Sequence, residues 1–144
     1  MVILPIASIL VEYTILGTNS SFELIGKWFL FWAVGMRLFT AGLSQAVRPG
    51  FTAQSIFKLT DKENFAVVRE LGFANISMGL VCIVSLFFAS WRIPAAFAGA
   101  LFFGIAGTQH MIKGPISANE RVPTITNWIA FLVMVVYLVS NAIL

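Results

Sequence analysis

The chain has 144 residues, of which 59% are hydrophobic and only 10% charged, whereas a soluble domain carries about 25% charged residues. So few ionised groups cannot cover a water-facing surface, which excludes a soluble globular fold and predicts a single domain, residues 1–144, with lipid as its solvent. The formal net charge of +3 comes from nine scattered Lys and Arg residues. They form no basic run that could track phosphates, so nucleic acid is set aside as a partner.

A hydrocarbon core about 30 Å thick needs roughly 20 apolar residues at 1.5 Å each. Val2 to Leu16 is apolar but short, and it contains Pro5 and Glu12. It lacks the basic flank and small-residue cleavage site of a signal peptide. It is therefore expected to be a retained hydrophobic helix, either an oblique fifth span or an interfacial or re-entrant piece. Trp28 to Val47 is the first full span, with Arg37 in its middle. Arg48-Pro49-Gly50 should stop it, because proline cannot continue the hydrogen-bond ladder. Phe51 to Leu59 then reads as a short interfacial helix. Thr60-Asp61-Lys62-Glu63 fits a capping box, which predicts a helix from near Asp61 through the apolar run Phe65 to Ser90.

Trp91-Arg92-Ile93-Pro94 reads as a tight interfacial turn. Ile93 to Ile112 follows as a further span, rich in Gly and Ala. Lys113-Gly114-Pro115 ends it, and Pro123 is expected to open the last span, Thr124 to Leu144. The expectation is an all-α integral membrane helical bundle: four transmembrane helices plus the N-terminal hydrophobic helix as a candidate fifth. The 48–64 and 113–122 connectors carry Arg48, Lys58, Lys62, Lys113 and Arg121, against Lys27 and Arg92 on the other side. The positive-inside rule then places those two connectors in the cytoplasm and the C-terminus outside.

Ala96, Ala100, Gly104 and Gly107 form a small-residue stripe, expected to be a packing seam that makes Ile93 to Ile112 the central helix. Arg37 lies beyond snorkelling reach of either end of its span. An arginine at mid-helix costs about 2.5–3.5 kcal/mol on insertion scales. It should therefore face protein, along with Ala41, Ser44, Gln45 and Arg48 on the same helical face. Its expected counter-charge is Glu70, or Glu12 if the N-terminal segment spans. Two readings stay open: a buried ion pair that fixes helix register, or an anionic-ligand or proton site.

Polar residues gather at one depth: Gln45, Arg48, Arg69, Glu70, Asn75, Gln109, His110, Asn119, Glu120, Thr126 and Asn127. They could form a cytoplasm-facing pocket or ordinary helix-end caps. His110 is the only histidine and Cys82 the only cysteine. Two-histidine haem ligation would need a second chain, and a zinc site would need more ligands. His110 therefore reads as a helix-end imidazole or as a proton-handling or quinone-contacting group. No nucleophile triad, phosphate loop or metal motif occurs, so neither cofactor nor metal is expected.

Several runs are similar to one family's signature: Val34-Gly35-Met36-Arg37-Leu38, Ala41 to Gln45, Arg48 to Ala53, Ile56-Phe57, and Val68 to Asn75. Ala106-Gly107 with His110, then Asn119-Glu120, continue the likeness, which covers about residues 24–140. It resembles a family of small prokaryotic multi-pass membrane proteins known only as a domain of unknown function. Gly50 departs from the pattern, which has a bulkier residue there. The resemblance implies a helical bundle in a prokaryotic inner membrane, and it marks Arg37, Gln45, Glu70, Asn75 and His110. It implies no activity. A looser likeness to DoxX-type four-helix membrane proteins rests on architecture alone.

The candidate site is thus Arg37, Gln45, Glu70, Asn75, His110, Asn119 and Glu120. The expected function is a non-enzymatic structural, binding or assembly role, with the lipid bilayer and a homo-oligomer or membrane-protein partner. The alternatives are a small-solute or proton conduit using Arg37 and Glu70, and a quinone- or haem-binding redox factor involving His110.

Overall fold

The apolar runs all become helices, because a chain with so few polar side chains must satisfy its backbone groups within each segment. The computed structural model describes residues 2–17, 22–55, 59–112 and 118–143, without the side chains of 118–120. Among these residues no strand occurs. We label the helices α1 (Ile3–Leu16), α2 (Phe22–Val47), α3 (Pro49–Ser55), α4 (Asn64–Val84), α5 (Arg92–Ile112) and α6 (Ala118–Ile143). Four helical segments are long and apolar enough to cross a membrane: Phe22–Val47, Asn64–Val84, Ala89–Ile112 and Arg121–Ile143. The 14 residues of α1 reach only about 21 Å at 1.5 Å each, short of a full crossing. It lies along α2 as a peripheral helix.

Several boundaries differ from the sequence expectation. The first span begins at Phe22, six residues before Trp28, because Glu23 and Lys27 find partners at the bundle end. The capping box at 60–63 does not form: no side-chain cap bond is made at Glu63. Turn bonds from Asn64 N to Asp61 O (3.1 Å) and from Phe65 N to Lys62 O (3.0 Å) open α4 instead. That helix stops at Val84 rather than Ser90. Ser85 Oγ donates to Cys82 O at 2.7 Å, and Arg92 Nε donates to Ser85 O at 3.2 Å. Arg92 thus ties off the carbonyl end of α4 and frees the chain to turn. The last helix starts at Ala118, so Pro123 lies inside it rather than at its first turn.

Arg48, at φ −129° and ψ 60°, breaks the chain as expected, and Pro49 begins the short α3, where its missing N–H costs nothing. The rest of the expected interfacial helix, Ile56 to Lys58, lies outside the described residues.

Glycines set the closest approach between helices. A Cβ at Gly79 would lie 2.6 Å from Phe39 N, one at Gly42 2.7 Å from Gly72 O, and one at Gly72 2.7 Å from Ala46 N. The backbones of α2 and α4 therefore touch antiparallel along two turns and more. Such close backbone contact supplies dispersion energy between the two helices without large side chains. The stripe on α5 packs differently. Ala96 and Ala100 are buried, but Gly104 faces the ring of Phe131 and Gly107 the indole of Trp128. The tightest seam is therefore between α2 and α4.

The central helix is α2, not α5. Leu30 and Val34 are fully buried, and α2 contacts α1, α4, α5 and α6. It makes room for four neighbours by opening into a π-helix from Leu30 to Met36. The i→i+5 bonds of that segment widen the turn and shift the face presented by Arg37, which follows it directly.

Candidate functional site

Arg37 sits at the junction of the π-segment and the α-helical second half of α2. Its Nη2 donates to Asn127 Oδ1 on α6 at 2.5 Å. Its guanidinium carbon lies 4.6 Å from the ring centroid of Phe103 on α5. The arginine thus joins three spans through a neutral amide and an aromatic face. Nη1 is shielded from solvent and has no hydrogen-bond partner among the described residues. No carboxylate pairs with Arg37 among the described residues.

Neither expected counter-charge reaches it. Glu70 is exposed on α4, about three helix turns from the stretch Gly79 to Cys82 that packs beside Gly35 and Phe39 and so lies level with Arg37. Glu12 is held elsewhere: Lys27 Nζ lies 2.5 Å and 2.6 Å from its two oxygens, and Trp28 Nε1 donates to it at 2.7 Å. Burial pushes the Glu12 carboxyl up, but the hydrogen bonds from Lys27 and Trp28 and the charges of Lys27 and Arg92 outweigh it. The net effect holds Glu12 below its ordinary value.

A cavity of about 220 Å³ opens beside Arg37, walled by Leu4, Trp32, Met36, Arg37 and Thr40. Apart from the arginine it is apolar and weakly polar: Thr40 Oγ1 is bound to Met36 O at 2.8 Å, and Trp32 Nε1 to Ser8 Oγ at 3.0 Å. A larger cleft of about 570 Å³ lies between α5 and α6, lined by apolar side chains with Thr108, Gln109 and Trp128 at one part of its wall. Trp128 Nε1 is also buried without an acceptor among the described residues. It lies against Gly107.

Of the other candidate residues, Gln45 and Asn75 meet: Asn75 Nδ2 donates to Gln45 Oε1 at 2.8 Å. Asn75 is buried and links α4 to α2 beside the glycine seam. His110 is half-buried at the end of α5, away from Arg37. The side chains of Asn119 and Glu120 lie outside the described residues. The expected pocket is thus resolved into a Gln45–Asn75 tie and a separate Arg37–Asn127 centre. Cys82 is buried. Among the described residues no group of three His, Cys, Asp or Glu could hold a metal ion.

Sequence reasoning missed a polar network at the opposite end of the bundle. Glu23 accepts from Arg92 Nη1 at 3.2 Å and from Tyr137 Oη at 3.1 Å, which ties α2 to both α5 and α6. Tyr137 also lies flat against Gly26, where any Cβ would strike its ring. Helical spacing offered a signal, since Glu23, Gly26 and Lys27 share a face. The residues they meet are far away in sequence and left no local trace.

The family model described as DUF6790, a family of unknown function, matches residues 1–144, so the chain belongs to that family. No curated protein and no solved structure matches it.

Proposed function

We propose that this family member is a multi-pass membrane protein that works by binding, and that Arg37 is the group its ligand or partner engages. The observation that carries this reading is a guanidinium answered, among the described residues, by an amide and a ring, with the buried Nη1 left without an acceptor. An unsatisfied buried donor costs about 1–3 kcal/mol, and more when it is charged. A fold that needed only an interhelical tie at this point would be better served by a neutral pair. Retaining the charge makes sense where something outside the chain completes it. The π-segment that aims Arg37 supports the same reading, because such turns recur at functional sites.

The membrane setting rests on the four long apolar helices and on the many large apolar side chains at the surface, such as Phe73, Phe97, Ile105 and Leu132. For orientation, Lys27 and Arg92 are both neutralised by Glu12 and Glu23. The 48–64 and 113–122 connectors carry five Lys and Arg residues, Arg48, Lys58, Lys62, Lys113 and Arg121, which favours a cytoplasmic location for them. A conduit built on Arg37 and Glu70 has less support, since the two side chains do not meet.

The test is a stability comparison. Replacing both partners with apolar groups of similar size, Arg37→Met with Asn127→Leu, removes a desolvated charge and leaves no orphan amide. Such replacements are often neutral or stabilising. The double variant should melt at or above the wild-type temperature in detergent. A clear fall in melting temperature would make Arg37 a structural tie and overturn the binding reading.

A further inference from the structure

We propose that the ligand of Arg37 is a single-chain amphiphile with a carboxylate head, reaching the guanidinium sideways through the cleft between α1 and α2; this inference rests on the binding reading above. The cleft walls are Leu4 and Trp32, Met36 and Thr40, with Arg37 as the one charged member. Leu4 is half exposed and Thr40 exposed, so the cleft has an open rim on the outside of the bundle. Its volume of about 220 Å³ accommodates a small head and a few methylenes, not a phospholipid headgroup.

Depth narrows the chemistry further. Arg37 lies ten residues from the end of α2 at Val47, about 15 Å at 1.5 Å per residue. That is near the middle of a hydrocarbon core about 30 Å thick. A molecule that delivers an acceptor to this depth must be apolar along most of its length and enter from the lipid. The uncompensated positive charge then selects an anion over a neutral alcohol or ether. A carboxylate oxygen accepting from Nη1 would satisfy the guanidinium nitrogen that is buried without an acceptor among the described residues, and would neutralise its charge. Nη1 is shielded from solvent, so engagement by the ligand requires the Arg37 side chain to rotate toward the cleft. The short α1, pinned through Ser8 to Trp32 and through Glu12 to Lys27 and Trp28, forms the outer wall without sealing the bundle as a full span would.

The experiment uses the full chain in detergent, titrated with dibrominated octadecanoate, whose bromines quench tryptophan on contact. Hexadecanoate and hexadecanol serve as competitors. The expected result is saturable quenching that hexadecanoate reverses and hexadecanol does not. Arg37→Gln should raise the dissociation constant by about tenfold or more. Thr40→Phe, which fills the cleft and leaves the guanidinium in place, should abolish the displaceable component. Equal competition by acid and alcohol would overturn the carboxylate assignment. Binding that survives Thr40→Phe but not Arg37→Gln would overturn the access route while sparing Arg37 as a binding group. Should Arg37→Gln fail to fold, the Thr40→Phe and hexadecanol arms still decide the inference. The melting test on the Arg37→Met and Asn127→Leu pair judges the underlying reading separately.

Discussion

Two polar regions of the same bundle treat charge in opposite ways. At the end formed by Glu12, Glu23, Lys27 and Arg92, each charge is met by an opposite one within the chain, and Tyr137 and Trp28 add hydrogen bonds. In the middle, Arg37 meets an amide and a ring, and its buried Nη1 has no acceptor among the described residues. The paired end fixes how α1, α2, α5 and α6 sit together. The unpaired middle adds cost to the fold, which the proposed binding role would offset.

The comparison assumes that packing, rather than Arg37, holds the bundle together. The largest expected effect is therefore at the glycine seam. Gly79→Leu would drive a side chain into Phe39 N, 2.6 Å from the Cβ position, and backbone cannot yield as a ring can. The loss should exceed the roughly 1–3 kcal/mol of ordinary overpacking and remove the monodisperse peak in size-exclusion chromatography. Gly104→Leu meets the movable ring of Phe131 and should be milder. If the two variants were equally damaging, the seam would not be where we place it.

An intermediate effect is expected at the paired end. Glu12→Gln leaves Lys27 partly buried without a counter-charge, at a cost of about 1–3 kcal/mol. The same pair sets a pH dependence. The Glu12 carboxyl is depressed in the folded protein from an ordinary value of 4.5. The stability it contributes is therefore fully present above that value, and is lost as the pH falls through the lower folded value. Melting temperature measured against pH should drop in acid for the wild type and drop less for Glu12→Gln. Identical profiles would remove Glu12 from the paired end. The smallest effect belongs to His110, half-buried at a helix end. His110→Ala should change stability by no more than about 0.5 kcal/mol in a denaturation series, and a larger loss would extend the site toward the end of α5.

The helices were legible because their signal is local: apolar runs of sufficient length name the spans directly. Arg37 was legible for the same reason, as a charge isolated in such a run. Its surroundings were not. Asn127 and Phe103 come from α6 and α5, and which residues meet across helices depends on crossing geometry that periodicity does not encode. The π-segment also defeats a count at helical spacing, since it shifts every face after Leu30. Glu70 is the nearest carboxylate on the next helix by sequence, yet it lies about three turns from the level of Arg37 and is exposed. The capping box at Thr60 to Glu63 was overridden by the turn that joins α3 to α4.

The central claim is that no carboxylate among the described residues answers Arg37. An experimental structure of the full chain in native-lipid nanodiscs tests it most directly. The account predicts Nη2 on Asn127, the guanidinium over Phe103, and non-protein density within hydrogen-bonding distance of Nη1. A glutamate or aspartate of the same chain within 4 Å of that nitrogen would contradict it.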